Sequence, residues 1–237
     1  MPRRFSDGSG FPLDETPPGP IFRNLTDCGA ELDLANSWSH RIVRPLARPL
    51  IGLGVTPNQI TGFHLGLGLG IVAAMVWGTP QANLWAGVAW LAACLLDRLD
   101  GEVARIGNMT SAAGHRFDDF VDTVLSSLYF LGLGLGLRDA PHGWLAVAAG
   151  ALACVAQFTL NRVAEAYDSQ AEGGDRILAS RWGFDADDGL YLLGPLLWFP
   201  APVRTAAVVM AALATTGFLL LFLRRLARQR RELAGRG

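Results

Sequence analysis

Residues 97–122, DRLDGEVARIGNMTSAAGHRFDDFVD, hold five aspartates, one glutamate and three arginines in a chain otherwise rich in Leu, Ala, Val and Gly. Asp97, Asp100, Gly101 and Ala104 stand at i, i+3, i+4 and i+7, which puts them on one face of a helix. Asp118 and Asp122 stand at i and i+4, again on one face. The short connection IGNMTSAAGHR makes the two helices antiparallel neighbours, so the aspartate pairs can face each other. Four carboxylates from two helices form an oxygen-rich cage, which suits hard cations such as Mg²⁺ or Mn²⁺. They carry more charge than one such ion needs, so two ions are expected. Paired metals ~3.5–4 Å apart are the usual device for phosphoryl displacement. Gly101 and Ala104 leave room for a ligand at the helix surface, and Arg105 can meet phosphate oxygens. Glu102 and Asp119 fall off the inward face and read as solvated or paired side chains.

The elements that must position this block are membrane helices. The chain has 237 residues, of which 51% are hydrophobic, a high share for a water-soluble domain. A spanning helix needs about 20 mainly apolar residues, and six segments qualify: 58–78, 82–106, 117–137, 142–165, 187–200 and 202–223. The fifth is short and interrupted by Pro195. Arginines gather in one set of connections, at Arg105, Arg116, Arg162, Arg176 and Arg181 and in the tail RRLARQRRELAGR. The opposite set carries only Arg138 and Arg204. The positive-inside rule puts the first set, and both termini, in the cytoplasm; in a bacterium the host membrane would be the plasma membrane. A carboxylate at the bilayer centre costs ~3 kcal/mol on insertion scales, so the acidic block belongs at the cytoplasmic ends of its helices, neutralised by arginine or metal.

The fold class expected is therefore an all-α integral membrane protein with six transmembrane helices, preceded by an amphipathic interfacial helix. That helix covers 34–51, where Leu34, Trp38, Ile42 and Leu46 recur every four residues with Arg41, Arg44 and Arg48 off the stripe. Pro45 and Pro49 are expected to kink or end it. Residues 1–33 read as a polar, weakly ordered cytosolic segment with no apolar run behind Arg3 and Arg4, hence no signal peptide. Residues 52–223 form the helical domain and 224–237 a basic cytosolic tail. Cys28, Cys94 and Cys154 show no CxxC spacing, so neither a disulfide framework nor a zinc site is expected. A net charge of −1 gives no field for nucleic acid. The repeats GLGLG (66–70) and GLGLGL (132–137) lie inside apolar spans and read as close helix packing, in the bundle or at a dimer seam.

The block, written Asp97-xx-Asp100-Gly101-xx-Ala104-Arg105, eight residues, Gly114-xxx-Asp118-xxx-Asp122, resembles the signature of the CDP-alcohol phosphotransferases at all eight marked positions. TPNQIT (56–61) resembles the lead-in of the same family, and the likeness extends over about 34–223. It implies transfer of a substituted phosphate from a CDP-linked donor to an alcohol with release of CMP. Asp97, Asp100 and Asp118 would hold two Mg²⁺ or Mn²⁺ ions. Asp122 would help bind the second and act as general base on the acceptor hydroxyl. Gly101, Ala104, Arg105 and Gly114 would shape the cytidine diphosphate site, with Ser111, Asn58 and Thr61 as further candidates. The resemblance also implies a homodimer.

The leading reading is phosphatidyl transfer from CDP-diacylglycerol to an alcohol. The alternative moves a small phospho-alcohol from its CDP ester to a lipid hydroxyl, and the motif binds the half of the donor that the two share. An intramembrane prenyltransferase also uses aspartates and Mg²⁺, but on more distant helices. A cation transporter would carry its acids nearer mid-membrane. In the connection 161–188, Arg162, Arg176 and Arg181 could grip a phosphorylated acceptor, while Glu165, Asp168, Glu172, Asp175, Asp185, Asp187 and Asp188 could as well meet an amine. His40, His64, His115 and His142 show no ligand spacing; His115 lies near the site and reads as a bystander.

Overall fold

A computed structural model describes residues 38–168 and 186–234. The segment 1–37, with Cys28 and Leu34, lies outside the described residues, as does 169–185 with Arg176 and Arg181. Helix α1 is Trp38–Gly52, α2 Pro57–Trp77, α3 Pro80–Ile106, α4 Ala112–Gly136 and α5 Gly143–Asp168. A 3-10 turn, Ala186–Leu192, leads into the one-turn helix α6, Leu193–Leu196, and the long α7, Ala201–Ala234. No strand occurs among the described residues. Among the described residues three helices, α2, α5 and α7, are long and apolar enough to cross a membrane. Helices α3 and α4 have the length, at 27 and 25 residues, but share the charged block between them.

Helix ends follow local chemistry. Pro57 opens α2 after Thr56, whose N–H donates to the Gln59 side chain at 3.0 Å. Gly78 closes it with φ +78°, a left-handed cap that glycine adopts without strain. Thr79 caps α3 by accepting from Ala82 N–H at 3.2 Å, and Ser111 caps α4 by accepting from Gly114 N–H at 3.0 Å.

Helix α2 packs on both α3 and α4, α4 packs on α5, and α7 lies along α5. Helices α3 and α4, expected as direct antiparallel neighbours, instead flank α2 and meet through side chains such as Trp90 on Tyr129. Their apolar core includes Met75, Trp90, Tyr129, Leu133, Ala146, Ala153 and Val208. The glycines of 132–137 work here. A Cβ at Gly134 would sit 2.5 Å from the Ala146 carbonyl, and one at Gly136 would meet the Met75 carbonyl. In the other repeat Gly68 closes on Leu125, whereas Gly66 and Gly70 face open space.

Helix α1 differs from expectation in one respect: it runs through Pro45 and Pro49 to Gly52. Arg41, Pro45 and Pro49 share an exposed edge, so the carbonyls left without an N–H partner face outward, where they can be solvated. The residues turned to the protein are Ser39, Val43 and Ala47, of which Val43 and Ala47 pack with Leu99 and Val103 of α3. Ile42 and Leu46 point away and are half-exposed.

Residues 187–200 do not form one spanning helix. The 3-10 turn and α6 together cover only 186–196, because Gly189, Gly194, Pro195, Pro200 and Pro202 interrupt any longer one. The segment nonetheless climbs antiparallel to the first half of α3. Trp90 Nε1 donates to the Leu190 carbonyl, Gly194 abuts Gly87, and Trp198 Nε1 donates to the Leu84 carbonyl. At the other end of the chain the basic segment from 224 continues α7 as far as Ala234.

Candidate active site

Asp97 and Asp100 leave the last three turns of α3, and Asp118 and Asp122 the first three turns of α4, at one end of the bundle. Asp97, Asp100 and Asp118 each offer an oxygen within 4.8 Å of the others. A second group with the same spacing is Asp97, Asp122 and His64 of α2. Asp97 belongs to both groups and lies between them.

Two ionised carboxylates at that separation repel by ~3–4 kcal/mol at an effective dielectric of about 20. Thr61 relieves part of this by donating to Asp100 Oδ2 at 2.7 Å. Asp100 is buried, and Asp118 Oδ1 is buried with no hydrogen-bond partner among the described residues. An orphaned carboxylate oxygen facing further carboxylates is what a cation ligand looks like before it is bound. The donor set, all oxygen on one side and oxygen with one imidazole on the other, fits divalent ions.

The aspartates separate two cavities. The first has a volume of about 490 Å³. Its walls bring together Asn58, Thr61, Gly101, Ala104, Arg105, Ser111 and Gly114, the residues expected at a nucleotide site, with Asp100, Asp118 and His115. Gly101 opens onto it: a Cβ there would meet only Arg105 Nη2, at 3.9 Å. Gly114 is needed for a different reason, since a Cβ would press to 3.0 Å from both Asn58 Oδ1 and Ser111 Oγ. This contact docks TPNQIT against the start of α4.

The second cavity, about 650 Å³, lies on the Asp97 and Asp122 side. His64, Arg98, Gln157 and Asn161 supply polar groups, and Leu125, Leu160, Phe218 and Phe222 an apolar flank. Asp122 is the exposed carboxylate of the four.

Of the two states expected for Glu102 and Asp119, solvated or paired, both take the paired one. Glu102 is buried and pairs with Arg105 at 2.7 Å, because Leu99 and Val103 bring α1 onto the side of α3 away from the site. Asp119 is half-buried and lies 3.6 Å from His115. Arg162 is exposed, pairs with Glu165, and does not line the second cavity. The arginine that does is Arg98, inside the motif but not singled out by its spacing. His64 was also missed, having no ligand spacing to another histidine. Its signal is a different one: Thr61, His64, Gly68, Ile71 and Met75 form the buried stripe of α2, so His64 shares a face with a residue of the lead-in.

Comparisons with known proteins bear on the same residues. A family model described as CDP-alcohol phosphatidyltransferase matches residues 54–228. A phosphatidylinositol phosphate synthase of Corynebacterium glutamicum is 32% identical over 118 residues, 48% of this chain and 51% of the relative. One from Mycobacteroides abscessus is 34% identical over 105 residues, 44% and 45% of the two chains. An archaetidylinositol phosphate synthase of Pyrococcus horikoshii is 30% identical over 99 residues, 40% and 51%. The chain thus spans about half the length of the curated relatives it matches.

Proposed function

The chain belongs to the CDP-alcohol phosphatidyltransferase family, and on that premise we propose that it is an integral membrane enzyme transferring a phosphatidyl group from CDP-diacylglycerol to an alcohol, with release of CMP. The observation that carries this reading is the position of the four aspartates between two cavities, one lined by the motif's small residues and Arg105, the other open at Asp122.

The first cavity would take the cytidine diphosphate half. Gly101 and Ala104 leave its floor bare, Arg105 reaches phosphate oxygens, and Asn58, Thr61 and Ser111 offer polar groups around Gly114. Asp97, Asp100 and Asp118 would hold one divalent ion, and Asp97 and Asp122 a second. Bound there, Mg²⁺ or Mn²⁺ would neutralise the diphosphate and the charge developing on CMP. The acceptor would enter through the second cavity. Its hydroxyl oxygen bonds to the phosphorus carrying the diacylglycerol, the bond from that phosphorus to the CMP oxygen breaks, and the hydroxyl proton passes to Asp122. A carboxylate of low intrinsic basicity suffices, since the hydroxyl loses its proton as it attacks. Thr61 holds Asp100 in place throughout.

Arg98, which lines the same cavity as Asp122, favours an anionic acceptor, and the names of the relatives point to a phosphorylated inositol as the first acceptor to try. The apolar flank of the same cavity supports a second reading, in which a lipid hydroxyl enters there and the donor is a small CDP-alcohol. A panel separates the two. Radiolabelled CDP-diacylglycerol with inositol phosphate, glycerol phosphate, inositol and serine should yield a labelled phospholipid with a phosphorylated polyol. Product only from a small CDP-alcohol and diacylglycerol would reverse the assignment.

A further inference from the structure

His64 reaches the aspartates from a helix that contributes none of them. Its side chain is 6% exposed, and its Nδ1 is buried with no hydrogen-bond partner among the described residues. A ring nitrogen stands within 4.8 Å of oxygens of both Asp97 and Asp122. Leaving such a nitrogen unpaired in a buried site costs ~1–3 kcal/mol. An ordinary core histidine avoids that cost by donating to and accepting from its neighbours.

We propose that His64 is a nitrogen ligand to the divalent cation held between Asp97 and Asp122. The inference rests on the metal reading of the aspartate block given above. It makes the two metal positions chemically unequal. One is built from three carboxylates, Asp97, Asp100 and Asp118, and suits Mg²⁺. The other has two carboxylates and an imidazole, and prefers a more borderline ion such as Mn²⁺. His64 would also fix the orientation of Asp122 by tying one of its oxygens to a shared ion, leaving the other toward the second cavity.

The test is electron spin-echo spectroscopy of Mn²⁺ added to the detergent-purified full chain. The proposal expects a nitrogen coupling to bound Mn²⁺ that changes on labelling with ¹⁵N-histidine. It expects the coupling to disappear in His64→Ala and His64→Gln and to survive in His115→Ala. The affinity for one of two Mn²⁺ ions should fall ~10-fold or more in the His64 variants, the other remaining. Bound Mn²⁺ with oxygen ligands only in the unaltered chain overturns the inference and leaves the metal reading standing, whatever the variants do. A coupling that persists in His64→Ala overturns it equally. Absence of any bound Mn²⁺ overturns both.

Discussion

At the scale of single residues, the tasks proposed for Asp122 and Thr61 are separable. Asp122→Asn keeps the size of the side chain and removes the proposed base. Transfer should fall by 10²-fold or more, while binding of the CDP donor changes little because Asp97, Asp100 and Asp118 remain. Single-turnover rates alongside donor-binding titrations would check this, and normal turnover would remove Asp122 from its role. Thr61→Val deletes the hydrogen bond to Asp100 and leaves a buried carboxylate oxygen short of a donor. A loss of ~1.5–3 kcal/mol is expected at that contact, read as weaker binding of the first divalent ion in a calorimetric titration with donor present. The aspartates were legible in the sequence because all four lie in one block of 26 residues at helical spacing. Their partners were not, since Thr61 is 39 positions from Asp100 and His64 lies on a helix without acids. Such pairings exist only once α2 packs on α3 and α4.

At the scale of elements, glycine position decides how close the helices come. Gly134 lies against Ala146 and Gly150 of α5, and Gly66 has nothing near it. Gly134→Leu should lower the unfolding temperature in detergent, with a cost of ~1–3 kcal/mol for the forced separation. Gly66→Leu should leave it unchanged. If Gly66→Leu instead shifts the protein from dimer to monomer, that glycine serves a seam between copies, the other role available to the repeat. The sequence pattern gave away that these glycines pack, yet not which of them do, because both repeats alternate with leucine in the same way. It located the ends of the long helices to within about five residues, except that α7 runs on to Ala234, well past the expected end at 223. It missed the break-up of 187–200, where proline and glycine outweigh an apolar composition, and the passage of α1 through two prolines whose freed carbonyls face outward.

At the scale of the molecule, the aspartates lie at the end of the bundle that also holds the α1–α2 turn and the α3–α4 connection. The turns at 78–79 and 137–142 lie at the opposite end. From arginine placement we propose that the site end faces the cytoplasm, where a soluble nucleotide group could reach it while acyl chains stay in the bilayer. In a background without Cys28, Cys94 and Cys154, Leu53→Cys and Asn108→Cys should label only from the cytoplasmic side, and Asp139→Cys only from the other. Labelling of all three from one side would contradict the helix alternation. The most direct test of the proposed chemistry is which bond of the donor breaks. Purified protein given CDP-diacylglycerol, Mg²⁺ or Mn²⁺ and an acceptor alcohol should release CMP in step with a new phospholipid, and release none when the metal is chelated. Release of diphosphate, or phospholipid formed undiminished in the presence of the chelator, would contradict it.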